Sequence, residues 1–273
     1  MNNRIQIPAS PRLGCIETNF FAYTQLRRKR TVTLGETAAA LGLSATQEKY
    51  LLHRLNRAGL IVRVRNGLYL VPPQIPPGGR WSPGEAAAIT SLFEDNGGRY
   101  QLCGPNAFYR YGFDDQVPNS VFIYNNRIYG ERTIGSINLI LIKVDEKRLG
   151  GTETVESSDG YSLVYSSRAR TLVDAVYDWS RFNGIPRAYE WIRSELSTRP
   201  RIAGDIVSAA LQFGNQGTVR RIGFVLERNG VARTLLRRLK GRVTNASSAV
   251  ALVPSRSRTG TLCKTWGIID NAP

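Results

Sequence analysis

LHRLNRAGLIVRVRNGLYLVPP, residues 52–73, passes from one periodicity to another within a few residues. Leu52, Leu55 and Ala58, with Leu51 just before them, fall at helical spacing and make one apolar stripe. Gly59 follows where a helix stop is expected. Val62, Arg63, Val64 and Arg65 then alternate, Asn66-Gly67 intervenes, and the apolar run returns from Leu68 to Val71. Asn-Gly between two such runs predicts a β-hairpin with a type I′ turn, because both residues tolerate the positive φ which that turn needs.

Working backward, residues 18–30 (TNFFAYTQLRRKR) read as a helix that can bury Phe20, Phe21, Tyr23 and Leu26 and that ends in four cations, Arg27 to Arg30. Residues 33–44 read as a short alanine-rich helix closed by Gly42, and 45–59 as a third helix capped by Ser44. Two helices, a tight turn, a third helix and a hairpin predict a winged helix-turn-helix. In that motif the helix 45–58 is offered to the major groove and the hairpin is the wing. With the leucines inward, Thr46, Lys49, Tyr50, His53 and Arg57 face out, and Gln47 and Arg54 lie on the flanks. The set mixes residue types that read base edges with types that hold phosphates. On the wing, Arg63 and Arg65 share the face opposite Val62 and Val64, suited to phosphates or a narrow minor groove.

The charge of the whole chain fits that reading. The 273 residues carry a net +16, placed unevenly. Residues 1–73 hold 11 Lys and Arg against 3 Asp and Glu, residues 74–215 hold 15 against 16, and residues 216–273 hold 11 against 2. Two basic ends around a neutral middle predict two polyanion-facing surfaces. The second would consist of Arg220, Arg221, Arg228, Arg233, Arg237, Arg238, Lys240 and Arg242. They lie on two successive helices whose apolar sides, Ile222, Phe224, Val225 and Leu226, then Leu235, Leu236 and Leu239, turn inward. DNA flanking the wing is the expected contact there, with an acidic or RNA-bound partner as the alternative.

Residues 72–85 (PPQIPPGGRWSPGE) hold five prolines and three glycines and read as a semi-stiff linker. They predict two domains, 1–77 with the winged helix and its linker, and 78–273. Ser82-Pro83-Gly84-Glu85 is a candidate capping box for a helix running to about Phe93. Strands are expected at 100–103, 121–126, 136–144 and 161–167, followed by a run of helices and two strand-like stretches in the tail, 248–253 and 261–269. Strands first and helices after them, without βαβ alternation, predict an α+β second domain with a helical C-terminal part.

No catalytic constellation is found. GxxxxGK[ST], HExxH and GxSxG are absent, and no GxGxxG follows a strand. Asp114 and Asp115 are the one acidic pair worth weighing, but neighbours on an extended chain point to opposite faces and do not converge on a metal ion. Glu153, Glu156 and Asp159 sit in a polar stretch, GGTETVESSDG, that reads as a solvated loop. His53 is the sole histidine, and Cys15, Cys103 and Cys263 have no metal-ligand spacing. The expectation is a non-enzymatic protein with no metal and no cofactor. Widely spaced cysteines, no apolar leader at the N-terminus and no long apolar run point to the cytoplasm rather than a membrane.

Several stretches together resemble the AbiEi-type antitoxins of type IV toxin–antitoxin (abortive-infection) systems, over nearly the whole chain. They are LNRAGLIVRVRNGLYLVPP (55–73), YQLCGPNAFYRYGF (100–113) followed by VPNSVFIYNN (117–126), SSRARTLVDAV (166–176), RRIGFVLERNG (220–230) and KTWGI (264–268). The resemblance rests on their order and spacing. It implies a bacterial, nucleoid-associated winged-helix repressor of its own operon that takes part in phage defence. Thr46, Lys49, Tyr50, His53, Arg57, Arg63 and Arg65 would bind double-stranded promoter DNA. The second domain would neutralise a nucleotidyltransferase-like toxin encoded beside it. One step departs from the family pattern: Arg168-Ala169-Arg170-Thr171-Leu172 stands where Glu-Arg-Thr-Leu is usual. A stand-alone transcriptional regulator, or a degenerate nucleotidyltransferase acting on nucleic acid, are the alternatives.

Overall fold

The computed structural model describes residues 13–75, 80–243 and 248–272. The first elements are α1 (Cys15–Leu26), β1 (Thr31–Thr33), α2 (Glu36–Leu41), α3 (Ala45–Arg57), β2 (Val62–Arg65), β3 (Leu68–Leu70) and α4 (Glu85–Asn96). The three strands form an antiparallel sheet in the order β1-β3-β2. Phe20 and Phe21 of α1, Leu51, Leu52 and Leu55 of α3, Val32 of β1, and Leu60, Ile61 and Val71 share one core. Each large apolar side chain removed from water contributes about 1.5–3 kcal/mol. That is why the spacing of leucines in 51–58 fixes which side of α3 faces inward.

The hairpin turns differently from the expectation. A type I′ turn needs positive φ at both central residues, but only Gly67 has it (80°); Asn66 does not. The pairing slips between Arg63 and Arg65, so the strands close with a local irregularity rather than a regular two-residue turn. Leu34 N–H donates to Gly67 O (2.9 Å), and this outside contact holds the turn.

The next elements are β4 (Tyr100–Leu102), α5 (Pro105–Tyr111), β5 (Val121–Asn125), β6 (Gly130–Ile134), β7 (Ile137–Lys143), β8 (Thr152–Glu156) and β9 (Ser162–Ser166). They give a six-stranded sheet in the order β6-β7-β5-β4-β9-β8, with β4 antiparallel to β5 and parallel to β9. The helices α6 (Arg168–Tyr177), α7 (Trp179–Phe182), α8 (Arg187–Thr198), α9 (Ile202–Phe213), α10 (Gln216–Arg228) and α11 (Arg233–Lys240) follow. The chain closes with β10 (Val250–Ala251), β11 (Thr261–Cys263) and β12 (Ile268–Asp270), with β12 central in a small sheet. The architecture is α+β. Three strands lie outside the expectation, and β1 is one of them, since residues 18–30 and 33–44 read as helices with no strand between them. β6 was not foreseen, and β8 occupies the stretch expected to be a solvated loop; its residues are mostly exposed, so no apolar alternation marks it.

The chain divides into two compact units. One holds residues 1–98, 130–140 and 156–163, and the other 99–129, 141–155 and 164–273. The expected boundary between 77 and 78 is not where the structure divides; residues 76–79 themselves lie outside the described residues. Bonds across the linker explain the shift. Trp81 N–H donates to Gly59 O (2.8 Å), and Arg65 pairs with Asp95 of α4. The capping box expected at Ser82 is absent as well. α4 starts at Glu85 with no side-chain cap, and Ser82 Oγ is hydrogen-bonded to Ser136 Oγ (2.8 Å).

In the second unit α6 packs on α9 and α10, and Leu172, Val173, Val176, Ile206, Ala210 and Ile222 of these helices are buried. Trp266 is fully buried against α10 at Gly223, where a Cβ would overlap the indole ring. Its Nε1–H donates to Glu227 Oε2 (2.7 Å).

Candidate nucleic-acid interface

α3 is fixed at its start by a reciprocal cap. Ser44 Oγ accepts from Gln47 N–H (3.3 Å), and Gln47 Oε1 accepts from Ser44 N–H (2.9 Å). Its position against α2 is set by Glu48, which is 2% exposed. The Glu48 carboxylate accepts from Gly35 N–H (2.8 Å) and Ala38 N–H (3.0 Å), at the N-terminus of α2. That helix has no side-chain cap of its own. A negative charge there satisfies orphan N–H groups and meets the positive end of the helix dipole.

The outward set falls into two groups. Thr46, Lys49, Tyr50, His53 and Arg57 are exposed, Tyr50 to 66%. The flank residues are partly committed. Gln47 has spent its carbonyl oxygen on the cap, so only its NH₂ remains, and the two-point recognition of adenine needs both. Arg54 is ion-paired with the buried Glu17, and its guanidinium lies 5.5 Å from the Tyr50 ring centroid.

The hairpin is tied to α3 by Arg63 N–H donating to Asn56 Oδ1 (3.0 Å). Val62 and Val64 are buried, and Arg63 and Arg65 are exposed on the other side, as the alternation predicts. The two arginines are not equivalent. Arg65 is bidentate on Asp95, with Nε to Oδ2 at 2.6 Å, and donates a third bond to Asn66 O (2.6 Å). Its guanidinium holds the Asp95 carboxyl below the ordinary carboxylate value. Arg63 has only a 3.5 Å contact to Asn66 Oδ1.

Beside the end of α3 and strand β2 lies an open cleft of about 1020 Å³. Arg57, Arg63, Arg65, Arg80 and Arg132 line it, together with Trp81, and no acidic side chain does. Arg80 and Arg132 were not singled out from sequence. Arg80 follows the proline-rich stretch and Arg132 sits on β6, the strand that sequence did not reveal.

The second expected basic surface is smaller than predicted. Arg220 and Arg221 are 3% and 8% exposed and do not face solvent. Arg220 Nη1 donates to Ser248 O (3.0 Å) and Arg221 Nε to Ala251 O (3.0 Å), so carbonyls near β10 draw both inward. Burial lowers the pKa of the Arg221 guanidinium. Arg228 pairs with Asp270 (2.7 Å) and Lys240 with Glu227 (3.4 Å). Arg233, Arg237, Arg238 and Arg242 remain exposed.

The segment 168–172 is anchored by its two arginines. Arg170 is fully buried and bonds Asp174 Oδ2 (2.8 Å) and Arg148 O (2.9 Å), with its guanidinium 3.7 Å from the Phe213 ring centroid. Arg148 bonds the other oxygen of the same carboxylate (2.8 Å). Arg168 pairs with Glu195 (2.8 Å). Asp114 is held by Arg187 (2.5 Å) in the loop after α5, while Asp115 is exposed. Among the described residues no group of three His, Cys, Asp or Glu could hold a metal ion, and no helix is long and apolar enough to cross a membrane.

These elements define an α+β protein with a basic, outward-facing helix and hairpin in its first unit. A solved structure with a similar fold is that of the Rv2827c protein from Mycobacterium tuberculosis. It aligns with a TM-score of 0.51 and 14% identity over 97% of this chain and 94% of that one. At that identity the likeness concerns the fold alone. No protein-family model matches the chain, and no curated protein is similar to it.

Proposed function

We propose that the chain is a duplex-DNA-binding regulator whose residues 13–73 act as a winged helix-turn-helix. The observation that carries this reading is the outer side of α3. Thr46, Lys49, Tyr50, His53 and Arg57 stand exposed together on a helix locked by its cap and by Glu48, beside a hairpin that presents Arg63. A rigid helix with base-reading and phosphate-holding side chains on one side suits the major groove. The sequence resemblance extends the proposal. The regulator would repress its own operon in the bacterial cytoplasm, and its remaining part would neutralise a nucleotidyltransferase-like toxin encoded next to it. Growth rescue on co-expression with the neighbouring gene tests that extension.

DNA binding is tested by titrating the full chain with its own promoter and with unrelated duplex. Arg57→Ala and His53→Ala are each expected to cost about 1–3 kcal/mol on promoter DNA if they touch base edges, and much less on unrelated duplex. Equal losses on both would assign them to phosphates. Absence of duplex binding by the wild type would refute the reading.

A further inference from the structure

The cleft beside α3 contains more positive charge than its own structure uses. Arg57, Arg80 and Arg132 have no acidic partner within ion-pair distance among the described residues, and Arg63 has only the long contact to Asn66. Arg65 is the one cleft arginine with a carboxylate, Asp95. The negative end of the α3 dipole points here, but it amounts to roughly half an elementary charge and cannot balance the other arginines.

The arrangement is built into the backbone. Gly59 has φ of 73°, and a Cβ there would stand 3.3 Å from Arg80 Cγ. The missing side chain lets the stem of Arg80 lie along the helix end. Trp81 N–H, bonded to Gly59 O, then fixes the segment that carries it. Arg132 enters from β6 and lies near enough to Asp95 to help lower its pKa.

We infer that this cleft is a phosphate-backbone channel, in which Arg80 and Arg132 hold the DNA strand passing beyond the wing. The inference rests on the DNA-binding reading above. It adds two residues from outside residues 13–73 and assigns them a role different from that of α3. They contact phosphates only, so they contribute affinity without sequence preference.

The test measures log K against log salt for the full chain on promoter and on unrelated duplex. Each phosphate contact contributes roughly 0.9 to the slope, so the double variant R80A/R132A is expected to flatten it by about 1.8 on both DNAs. The double variant R80K/R132K, which keeps the point charges, is expected to retain most of the slope. Circular dichroism of both variants checks that they are folded. If the wild type binds and responds to Arg57→Ala while a folded R80A/R132A keeps the full slope, the channel is wrong and the DNA reading stands. A loss confined to the promoter would also overturn the channel. If the wild type binds no duplex, both ideas fail together.

Discussion

The two arginine-rich regions of the molecule use the same residue in opposite ways. Around α3 and the β2–β3 hairpin, Arg57, Arg63, Arg80 and Arg132 form no ion pair among the described residues. Around α6, α10 and the tail, Arg170, Arg220 and Arg221 are drawn inside and Arg148 nearly so. The difference lies in the acceptors. The inner arginines meet Asp174 and backbone carbonyls of Arg148, Ser248 and Ala251, which accept from their guanidiniums. Near α3, Glu17 and Asp95 serve only Arg54 and Arg65, and among the described residues no carboxylate lies within ion-pair distance of Arg57, Arg63, Arg80 or Arg132. A guanidinium is weakly hydrated and planar, so it can be buried wherever enough oxygens line up. The positive balance of residues 216–273 therefore overstates the charge which that region shows to solvent.

The largest effect expected from breaking this contrast is on stability. Asp174→Ala removes the shared carboxylate and leaves two guanidiniums in the interior, which is expected to cost about 3–5 kcal/mol in urea unfolding. A loss below about 1 kcal/mol would mean that the carbonyls alone suffice and that the inner arginines need no anion. The next effect sharpens what remains outside. Reversing Arg233, Arg237 and Arg238 to Glu is expected to flatten the salt slope on promoter DNA by about two to three units, whereas Arg221→Ala leaves it unchanged. An unchanged slope in the triple variant, with toxin neutralisation lost, would give that surface to a protein partner. The smallest effect concerns Asp95. Asp95→Asn releases Arg65 from its bidentate grip and is expected to raise DNA affinity by at most about 1 kcal/mol, the scale of an exposed ion pair. A fall in affinity would show that Asp95 positions Arg65 rather than withholding it.

Much of the first unit is legible in the sequence because periodicity and caps act locally. The leucines at 51, 52 and 55, Ser44 before α3 and Gly59 after it each act within a turn of where they stand. What was not legible depends on distant partners. Glu48 sits between Gln47 and Lys49 and reads as one more solvated charge. Its burial follows from the uncapped start of α2, ten or more residues upstream, and a short helix opening on Gly35 is the signal that an outside acceptor is needed. Arg220 and Arg221 read as surface because the carbonyls that bury them lie about thirty residues further on. β6 and β8 escape because strands that leave most of their side chains in solvent lose the apolar alternation that reveals a strand. The cleft could not be read at all, since Arg57, Arg80 and Arg132 belong to three separate stretches.

Gly223 and Trp266 bind two distant positions into one inheritance. A glycine in the middle of a helix is a poor choice by about 0.5–1 kcal/mol against alanine, and it persists here because the indole occupies the place of its side chain. Enlarging residue 223 first would drive the ring out; shrinking residue 266 first would leave a void costing about 3–5 kcal/mol. Neither step is passable alone. Among descendants of this sequence the two positions should be found either both unchanged or both replaced, and a lineage that has replaced them marks a crossing made in a single episode.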